Sequence, residues 1–223
     1  MIADIASRWR LAQSDGGATA TLYWLASRLV RLDAHKFYAI EIDYGHAAAC
    51  EALPDGNTLL CIDSVGQLEE CSAEIVETLD RQNGVAVRDS VANGGRVYAI
   101  TCGEAVVAQL RVEFGRSNID SPFPMALHFG ERDAFFSYLY TWPPARGAGW
   151  ATKLIRIVSS ELAAEGWSRC LCHIRATNVP SIATFRRCGW RPVALLWSNK
   201  WMRWSVLQRL SEGHRLRLWA TRM

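Results

Sequence analysis

The sequence predicts an α/β (α+β) fold, because helical and strand-like patterns both recur along it. Half of its 223 residues are hydrophobic, which is enough to form the core of one globular domain with an elaboration. Apolar residues recur at helical spacing in residues 18–32 and 149–165. Short β-rich runs punctuated by glycine lie between residues 97 and 141. The two patterns together predict helices packed on a sheet.

The first 87 residues are predicted to form a helical elaboration. Residues 18–32 place leucines on one face of an amphipathic helix. A second helix is predicted to begin near Ser64, because Ser64 and Gln67 have the spacing of a capping box, and apolar residues then recur as far as Leu79.

The middle of the chain is predicted to be a hairpin followed by a loop and another strand. Two β-rich runs over residues 97–112 are separated at Gly103, which predicts the hairpin. Residues 114–132 are rich in Gly, Pro and polar types and predict a loop, whereas the aromatic-rich residues 135–141 predict a strand.

Later elements are predicted from the same two patterns. A helix over roughly 149–165 ends before Gly166, where a C-terminal glycine is favoured. The elements predicted after it are a strand at 169–174, a short helix at 180–188, and closing strands near 193–197 and 201–206.

Strand 135–141, the glycine turn at 147–149 and the helix after it form a strand–turn–helix unit. The first-turn amides of a helix lack partners within the helix and attract anions, and glycines let the backbone approach a pyrophosphate closely. Arg146 adds a positive charge. The segment lacks the Gly-Lys-Ser/Thr of a nucleotide-triphosphate loop and the full G-x-G-x-x-G spacing, which argues against nucleoside triphosphates and NAD.

Two motifs carry a resemblance to a known family. Arg146, Gly149 and Ala151 match the pattern [Q/R]-x-x-G-x-[G/A]. Residues 178–190, NVPSIATFRRCGW, match N-x-x-S-x-x-x-[Y/F]-x-x-x-G-[F/W]. In this order the motifs resemble the two signatures of the GNAT superfamily of acyl-CoA N-acyltransferases, and the resemblance covers roughly residues 88–204.

The resemblance implies a fold and an activity. The fold would be a mixed, mostly antiparallel central sheet flanked by helices, with residues 88–206 as the acyl-CoA-binding catalytic domain. Residues 1–87 would be the helical elaboration and residues 207–223 a basic C-terminal tail. The activity would be transfer of an acetyl group from acetyl-CoA to a primary amine of a small molecule or an amino sugar, by direct attack and without a metal.

The resemblance also implies a binding site for the acyl donor. Amides of the turn would hold the pyrophosphate, Thr141 would lie beside the pantetheine arm, and Asn178 and Ser181 would lie near its thiol end. The implied cofactor-binding residues are Thr141, Arg146, Gly147, Ala148, Gly149, Trp150, Ala151, Asn178 and Ser181. Asn178 and Ser181 are equally well explained as ordinary residues of a helix N-terminus.

The acid and base of the reaction are less clearly indicated. Many family members have a tyrosine four residues after the motif serine, where this chain has Phe185. Tyr138 and Tyr140 lie two positions apart on a strand and are predicted to face the same side, so either is a candidate catalytic acid, and core packing is the alternative. The candidate bases are Glu131, Asp133, Tyr140 and His173.

Two other functions stay open. A longer-chain acyl-CoA or an acyl carrier protein is an alternative donor, for which residues 1–87 would form part of a tunnel. The Phe185 departure keeps open a non-catalytic acyl-CoA-binding or protein-interaction module.

The cysteines and the charge distribution limit the location and the partners that the sequence predicts. Seven cysteines without a C-x-x-C pair predict reduced thiols and a cytoplasmic location. Cys170 and Cys172 would share one face of a strand with His173 on the other, so no metal site is predicted.

No export signal or run of about 18 apolar residues is visible, so no membrane span is expected. Residues 186–223 carry nine Lys/Arg and one acidic residue, interpreted as a solvated tail or a subunit contact in a homodimer rather than a nucleic-acid site.

Overall fold

An eight-stranded sheet organises the part of the chain that the computed structural model describes, which comprises residues 29, 32–43, 45, 52–119, 125–199, 204–210 and 219–222. The strands are β1 (Leu32–Glu41), β2 (Asn57–Ile62), β3 (Arg96–Cys102), β4 (Ala105–Phe114), β5 (Arg116–Ile119), β6 (Met125–His128), β7 (Asp133–Thr141), β8 (Arg169–Arg175), β9 (Arg191–Asn199), β10 (Trp204–Arg209) and β11 (Trp219–Arg222). The helices are α1 (Val65–Glu70), α2 (Ala73–Asp80), α3 (Val87–Ala92), α4 (Trp150–Ala164) and α5 (Val179–Arg187). A 3₁₀ turn occupies Pro143–Ala145.

The strand order of the large sheet is β10-β9-β1-β8-β7-β4-β3-β2. Neighbouring strands are antiparallel except for β7 and β8, which are parallel. The mixed, mostly antiparallel sheet that the family resemblance implied is therefore confirmed. Strands β5, β6 and β11 form a second, three-stranded sheet.

Residues 1–87 supply two strands that the sequence analysis did not predict. Strand β1 lies between β8 and β9, where His35 is paired with Arg175 on one side and with Leu196 on the other. Ala34, His35 and Phe37 are buried, so β1 has no polar face and lacks the alternation that marks a half-buried strand. Strand β2 pairs with β3 at the edge of the sheet. The predicted helix at 18–32 lies outside the described residues apart from Leu29, and from Leu32 the chain is a strand.

The single helix predicted from Ser64 to Leu79 is two helices, α1 and α2. The Ser64 hydroxyl accepts the Gln67 N–H at 3.4 Å, as the capping box predicts, whereas the Gln67 side chain accepts the N–H of Asp63, the residue before the N-cap, at 2.8 Å. The chain then becomes extended at Cys71, and Ser72 caps a new helix by accepting the Ile75 N–H at 3.4 Å. A second capping serine thus explains the break.

Helices cover both faces of the large sheet. Helices α4 and α5 pack on one face, in a core that includes Tyr98, Leu110, Phe136 and Phe185. Helices α1 to α3 pack on the opposite face. The small sheet packs on this second face too. Met125 and Leu127 of β6 belong to the same hydrophobic core as Phe37, Phe135 and Leu171 of the large sheet.

Two segments predicted to lack regular structure contain strands. The predicted loop at 114–132 includes β5 and β6, which are too short to show a pattern in the sequence. Part of the predicted tail at 207–223 belongs to β10 and to β11, which pair with β9 and β6. No helix among the described residues is long and apolar enough to cross a membrane.

Candidate functional site

A cavity of about 290 Å³ opens where β7 and β8 separate. The parallel pairing of these strands ends at Phe136 and Cys172. Beyond this pair the wall of the cavity is formed by Ser137 to Leu139 of β7 and by His173 to Arg175 of β8. A gap between parallel strands leaves backbone groups unpaired, so it presents hydrogen-bonding groups to a ligand.

The cavity reaches both faces of the sheet. On the face of α4 and α5 it is lined by Phe136, Ile174 and Phe185, which belong to the apolar core there. On the opposite face it is lined by Ser117, Ser137 and His173. The His173 ring stacks 5.7 Å from the Phe135 ring, which fixes its side chain on this second face. Two reactants could therefore meet in the gap from opposite sides of the sheet.

The glycine turn begins α4 beside the end of β7. Gly147 and Gly149 have φ angles of 87° and 80°, a region that glycine adopts without steric cost. Gly149 is the N-cap of α4 and has no side chain to bond the first-turn amides. The first helical bond runs from Lys153 N–H to the Gly149 carbonyl at 3.1 Å, so the amides of residues 150–152 precede the helical ladder. A Cβ at either glycine would meet open space. These amides fit an anion such as a pyrophosphate.

Arg146 is held at the end of β7. Its Nε donates to the Thr141 carbonyl at 3.1 Å, and its terminal nitrogen donates to the Tyr140 hydroxyl at 3.2 Å. The guanidinium also lies 5.4 Å from the Tyr140 ring centroid. These contacts hold the positive charge of Arg146 against the last residues of β7.

Asn178 and Ser181 lie at the N-terminus of α5 and also line the cavity. The Asn178 side chain accepts the Ser181 N–H at 3.3 Å. The capping role and the place beside the cavity are therefore both present in the structure.

Tyr138 lies at a bulge in β7. Its φ angle is +50°, which is rare for a bulky residue. The pairing with β4 shifts there, because Ser137 is opposite Arg111 whereas Tyr140 is opposite Gln109. The Tyr138 ring lies 4.2 Å from the Arg111 guanidinium, and its hydroxyl end contacts Gly84.

The two candidate tyrosines have different surroundings. Tyr138 lines the cavity, whereas the Tyr140 hydroxyl accepts from Arg146 and the Tyr140 ring packs edge-on to Trp142. Phe185 also lines the cavity and is buried against the Trp190 ring at 4.8 Å.

The candidate bases are not favoured by their positions. Asp133 accepts two hydrogen bonds from Arg169, at 2.9 and 2.7 Å, and one from Gly130 N–H. Asp133 begins β7, and the first β7 residue that lines the cavity is Phe136, about 10 Å further along the strand at the usual rise. Glu131 is exposed and does not line the cavity.

His173 lines the cavity but is a weak base. Its burial, with smaller contributions from His35 and Arg175, lowers its pKa to about 3. The imidazole is therefore neutral at neutral pH and has little tendency to take up a proton.

A polar cluster that the sequence did not predict lies beside the cavity. It consists of Arg111, Glu113, Ser117 and Ser137. The Glu113 carboxylate accepts from the hydroxyls of Ser117 and Ser137 and pairs with Arg111. Arg111 and Glu113 are charged residues two positions apart in a strand whose other residues, except Gln109, are apolar, and this pattern could have indicated the cluster.

Cysteines and metal ligands do not converge in the described part of the chain. Cys170 and Cys172 belong to the core under α4, whereas His173 faces the opposite side, as predicted. Burial raises the pKa of the Cys170 thiol, which favours an unreactive packing role. No group of three His, Cys, Asp or Glu side chains that could hold a metal is found among the described residues.

Comparison with known structures gives matches at low sequence identity. A conserved protein of unknown function from Staphylococcus epidermidis has a TM-score of 0.51 and 7% identity, with 86% of this chain and 67% of that chain covered. A GNAT-family acetyltransferase from Colwellia psychrerythraea has a TM-score of 0.49 and 12% identity, with 93% of this chain and 74% of that chain covered. A GCN5-related N-acetyltransferase from Kribbella flavida has a TM-score of 0.48 and 15% identity, with 82% and 61% covered.

The Staphylococcus epidermidis structure shows a shared fold and nothing about activity, because the identity is so low. The chain spans about two thirds of that structure and less of the Kribbella flavida one. No curated protein matches the chain.

A family model gives the sequence-level match. The model of the FR47-like protein family, which is related to the GNAT acyltransferases, matches residues 126–202. The matched range contains β7, the glycine turn, α4, β8 and α5, and therefore both motifs. The resemblance to the GNAT superfamily that the two motifs indicated is thus confirmed.

Proposed function

We propose that this protein transfers an acetyl group from acetyl-CoA to a primary amine of a small molecule. The observation that carries the proposal is the cavity in the gap between β7 and β8, which reaches both faces of the sheet and lies near an uncapped helix N-terminus. An acyl donor on the α5 side and an amine on the opposite side would meet there. The resemblance indicates the family, and the proposal adds the acyl donor and the class of acceptor.

The residues proposed for the donor follow from their positions. The amides of residues 147–151 and the charge of Arg146 would hold the pyrophosphate. Thr141 would contact the pantetheine arm, while Asn178 and Ser181 lie beside the cavity where its thiol end would enter. The glycine spacing argues against nucleoside triphosphates and NAD, and the resemblance to the GNAT superfamily is what implies coenzyme A as the anion.

The proposed chemistry is direct attack. The amine nitrogen forms a bond to the thioester carbonyl carbon, the carbon–sulfur bond breaks, and the thiolate takes up a proton. We propose Tyr138 as the proton donor rather than Tyr140, because Tyr138 lines the cavity and Tyr140 does not. Phe185 occupies the usual acid position and has no proton to give.

The test has two parts. Calorimetry with acetyl-CoA measures donor binding, and release of the coenzyme A thiol in the presence of a panel of primary amines measures transfer. We expect binding and turnover with at least one amine. Absence of acetyl-CoA binding would contradict the proposal, whereas tight binding without turnover of any amine would favour the non-catalytic acyl-CoA-binding module. Octanoyl-CoA, tested beside acetyl-CoA, distinguishes a longer-chain donor.

A further inference from the structure

Two serine hydroxyls converge on one carboxylate oxygen beside the cavity. The Ser117 hydroxyl donates to Oε2 of Glu113 at 2.7 Å, and the Ser137 hydroxyl donates to the same oxygen at 2.9 Å. Ser117 belongs to the small sheet and Ser137 to β7, yet both line the cavity on its second face. The fold thus brings Ser137 to a carboxylate that lies 24 residues earlier in the chain and that also accepts from the nearby Ser117.

The Arg111 side chain holds Glu113 and Ser137 in place. Its Nε donates to the Ser137 hydroxyl oxygen at 3.1 Å, and another nitrogen donates to the Asn83 carbonyl at 2.9 Å. A third nitrogen lies 3.2 Å from the other Glu113 oxygen, and the Arg111 side chain is only 4% exposed. Because the guanidinium has several partners, neither Glu113 nor Ser137 is free to rotate away.

The directions of the two serine hydrogen bonds indicate which kind of ligand the cavity would accept. A serine hydroxyl has one hydrogen and two acceptor positions. In both serines the hydrogen is directed to Glu113, so each hydroxyl can offer only an acceptor to a molecule in the cavity. A ligand with N–H donors and a positive charge, such as an alkyl ammonium, satisfies these acceptors and is attracted by the carboxylate behind them.

We propose that Glu113, acting through the hydroxyls of Ser117 and Ser137, is the proton acceptor for the amine substrate. This inference rests on the proposed acyl transfer and assigns its missing base. An ammonium N–H bond breaks as an O–H bond forms at one serine, and the proton of that serine passes to Oε2 of Glu113, which becomes a neutral carboxyl group. The amine lone pair then attacks the thioester, the carbon–sulfur bond breaks as the Tyr138 hydroxyl gives its proton to the thiolate, and the second N–H proton of the amine restores the Tyr138 hydroxyl. Glu113 finally returns its proton to solvent.

The test compares two kinds of amine at pH 7. An alkyl amine, with a pKa of about 10 like that of lysine, is almost entirely ammonium and must lose a proton before attack. Methoxyamine is a much weaker base and is already neutral at that pH. We expect Glu113→Gln to lower kcat for the alkyl amine by about 10²–10⁴-fold. For methoxyamine kcat should be nearly unchanged, and acetyl-CoA affinity measured by calorimetry should be unchanged.

Additional variants separate a proton-transfer role from a structural one. Ser117→Ala combined with Ser137→Ala keeps the Arg111–Glu113 ion pair and should show the same loss confined to the alkyl amine. Glu165→Gln is the matched control, because Glu165 also pairs with an arginine, Arg96 at 2.6 Å, but does not line the cavity. It should leave kcat unchanged for both amines.

The outcomes are distinguishable. An equal loss of kcat for both amines in Glu113→Gln, or full kcat for the alkyl amine, overturns the Glu113 relay while the acyl transfer itself stands. If the unaltered protein binds acetyl-CoA but turns over neither amine nor any other of the panel, the proposed transfer and the relay are both overturned.

Discussion

At the scale of single residues, Tyr138 is the position where the backbone departs most from its preferred conformation. Among the described residues it alone has a positive φ angle without being glycine. Such strain persists where surrounding contacts hold it, and here Arg111 packs over the ring. The bulge turns Tyr138 toward the side of Ser137 and Arg111, which a regular strand would not do.

The proposed role of Tyr138 predicts a difference between two similar substitutions. Tyr138→Phe should lower kcat by about 10²–10⁴-fold because the proton donor to the thiolate is lost. Tyr140→Phe is the matched control and should retain kcat, since Tyr140 does not line the cavity. Steady-state kinetics with the best amine of the panel, together with acetyl-CoA calorimetry, measures both. Full kcat in both variants would mean that water protonates the thiolate.

At the scale of elements, the strand–turn–helix unit formed by β7, the glycine turn and α4 joins the anion site to the cavity. The turn presents backbone amides, and their geometry depends on two glycines at positive φ. Nothing lies within 4 Å of a Cβ placed at Gly149, so added atoms there would project into the space proposed for the pyrophosphate.

Gly149 allows the charge effect to be separated from the backbone effect. Both Gly149→Ala and Gly149→Glu force a left-handed residue and should each cost about 1–2 kcal/mol of stability. Only Gly149→Glu places a carboxylate at the anion site, so it should abolish acetyl-CoA binding while Gly149→Ala retains it. Calorimetry paired with thermal melts checks this. Undiminished binding by a folded Gly149→Glu protein would contradict the assignment of the turn.

The elements that carry the motifs were predictable because their patterns are strong. Strand β7, helix α4 and strand β8 differ from their predicted bounds by one or two residues, and glycines mark both ends of α4. Strand β1 was missed because it is buried on both faces, as Phe37 and Tyr38 show.

The site itself was only partly predictable. The turn residues follow from a local motif, whereas Ser137 meets Glu113 through the pairing of β7 with β4, across 24 residues of chain. Local sequence patterns do not encode such contacts. The structure places each implied binding residue near the turn or the cavity, but their roles in binding acetyl-CoA remain predictions.

At the scale of the whole molecule, strand β1 makes the N-terminal part integral to the sheet that carries the site. It pairs along its length with β8, whose His173 and Ile174 line the cavity. Phe37 of β1 is fully buried and lies 6.0 Å from the His173 ring. The domain boundary predicted at residue 87 therefore does not separate independent packing units within the large sheet.

This integration predicts that a change in β1 destabilises the entire molecule. Phe37→Ala should cost about 3–5 kcal/mol because it leaves a cavity in a closed core. In urea, tryptophan fluorescence and acetyl-CoA binding should be lost in one coincident transition. Phe185→Ala, in the core on the other face, is the matched control and should behave alike. Loss of β1 packing with retained acetyl-CoA binding would show that β1 is a dispensable addition.

The position of β1 also bears on how the chain reaches this fold. Residue 35 is synthesised before its partners in the sheet, residues 175 and 196, so both edges of β1 remain unpaired until those later segments have been made. Pairing over such separations slows folding, because the chain entropy of closing a long loop is lost before the contacts form. During that interval an apolar segment containing Phe37, Tyr38 and Ile40 has unsatisfied backbone groups on both sides, which exposes the nascent protein to aggregation and gives chaperones a substrate.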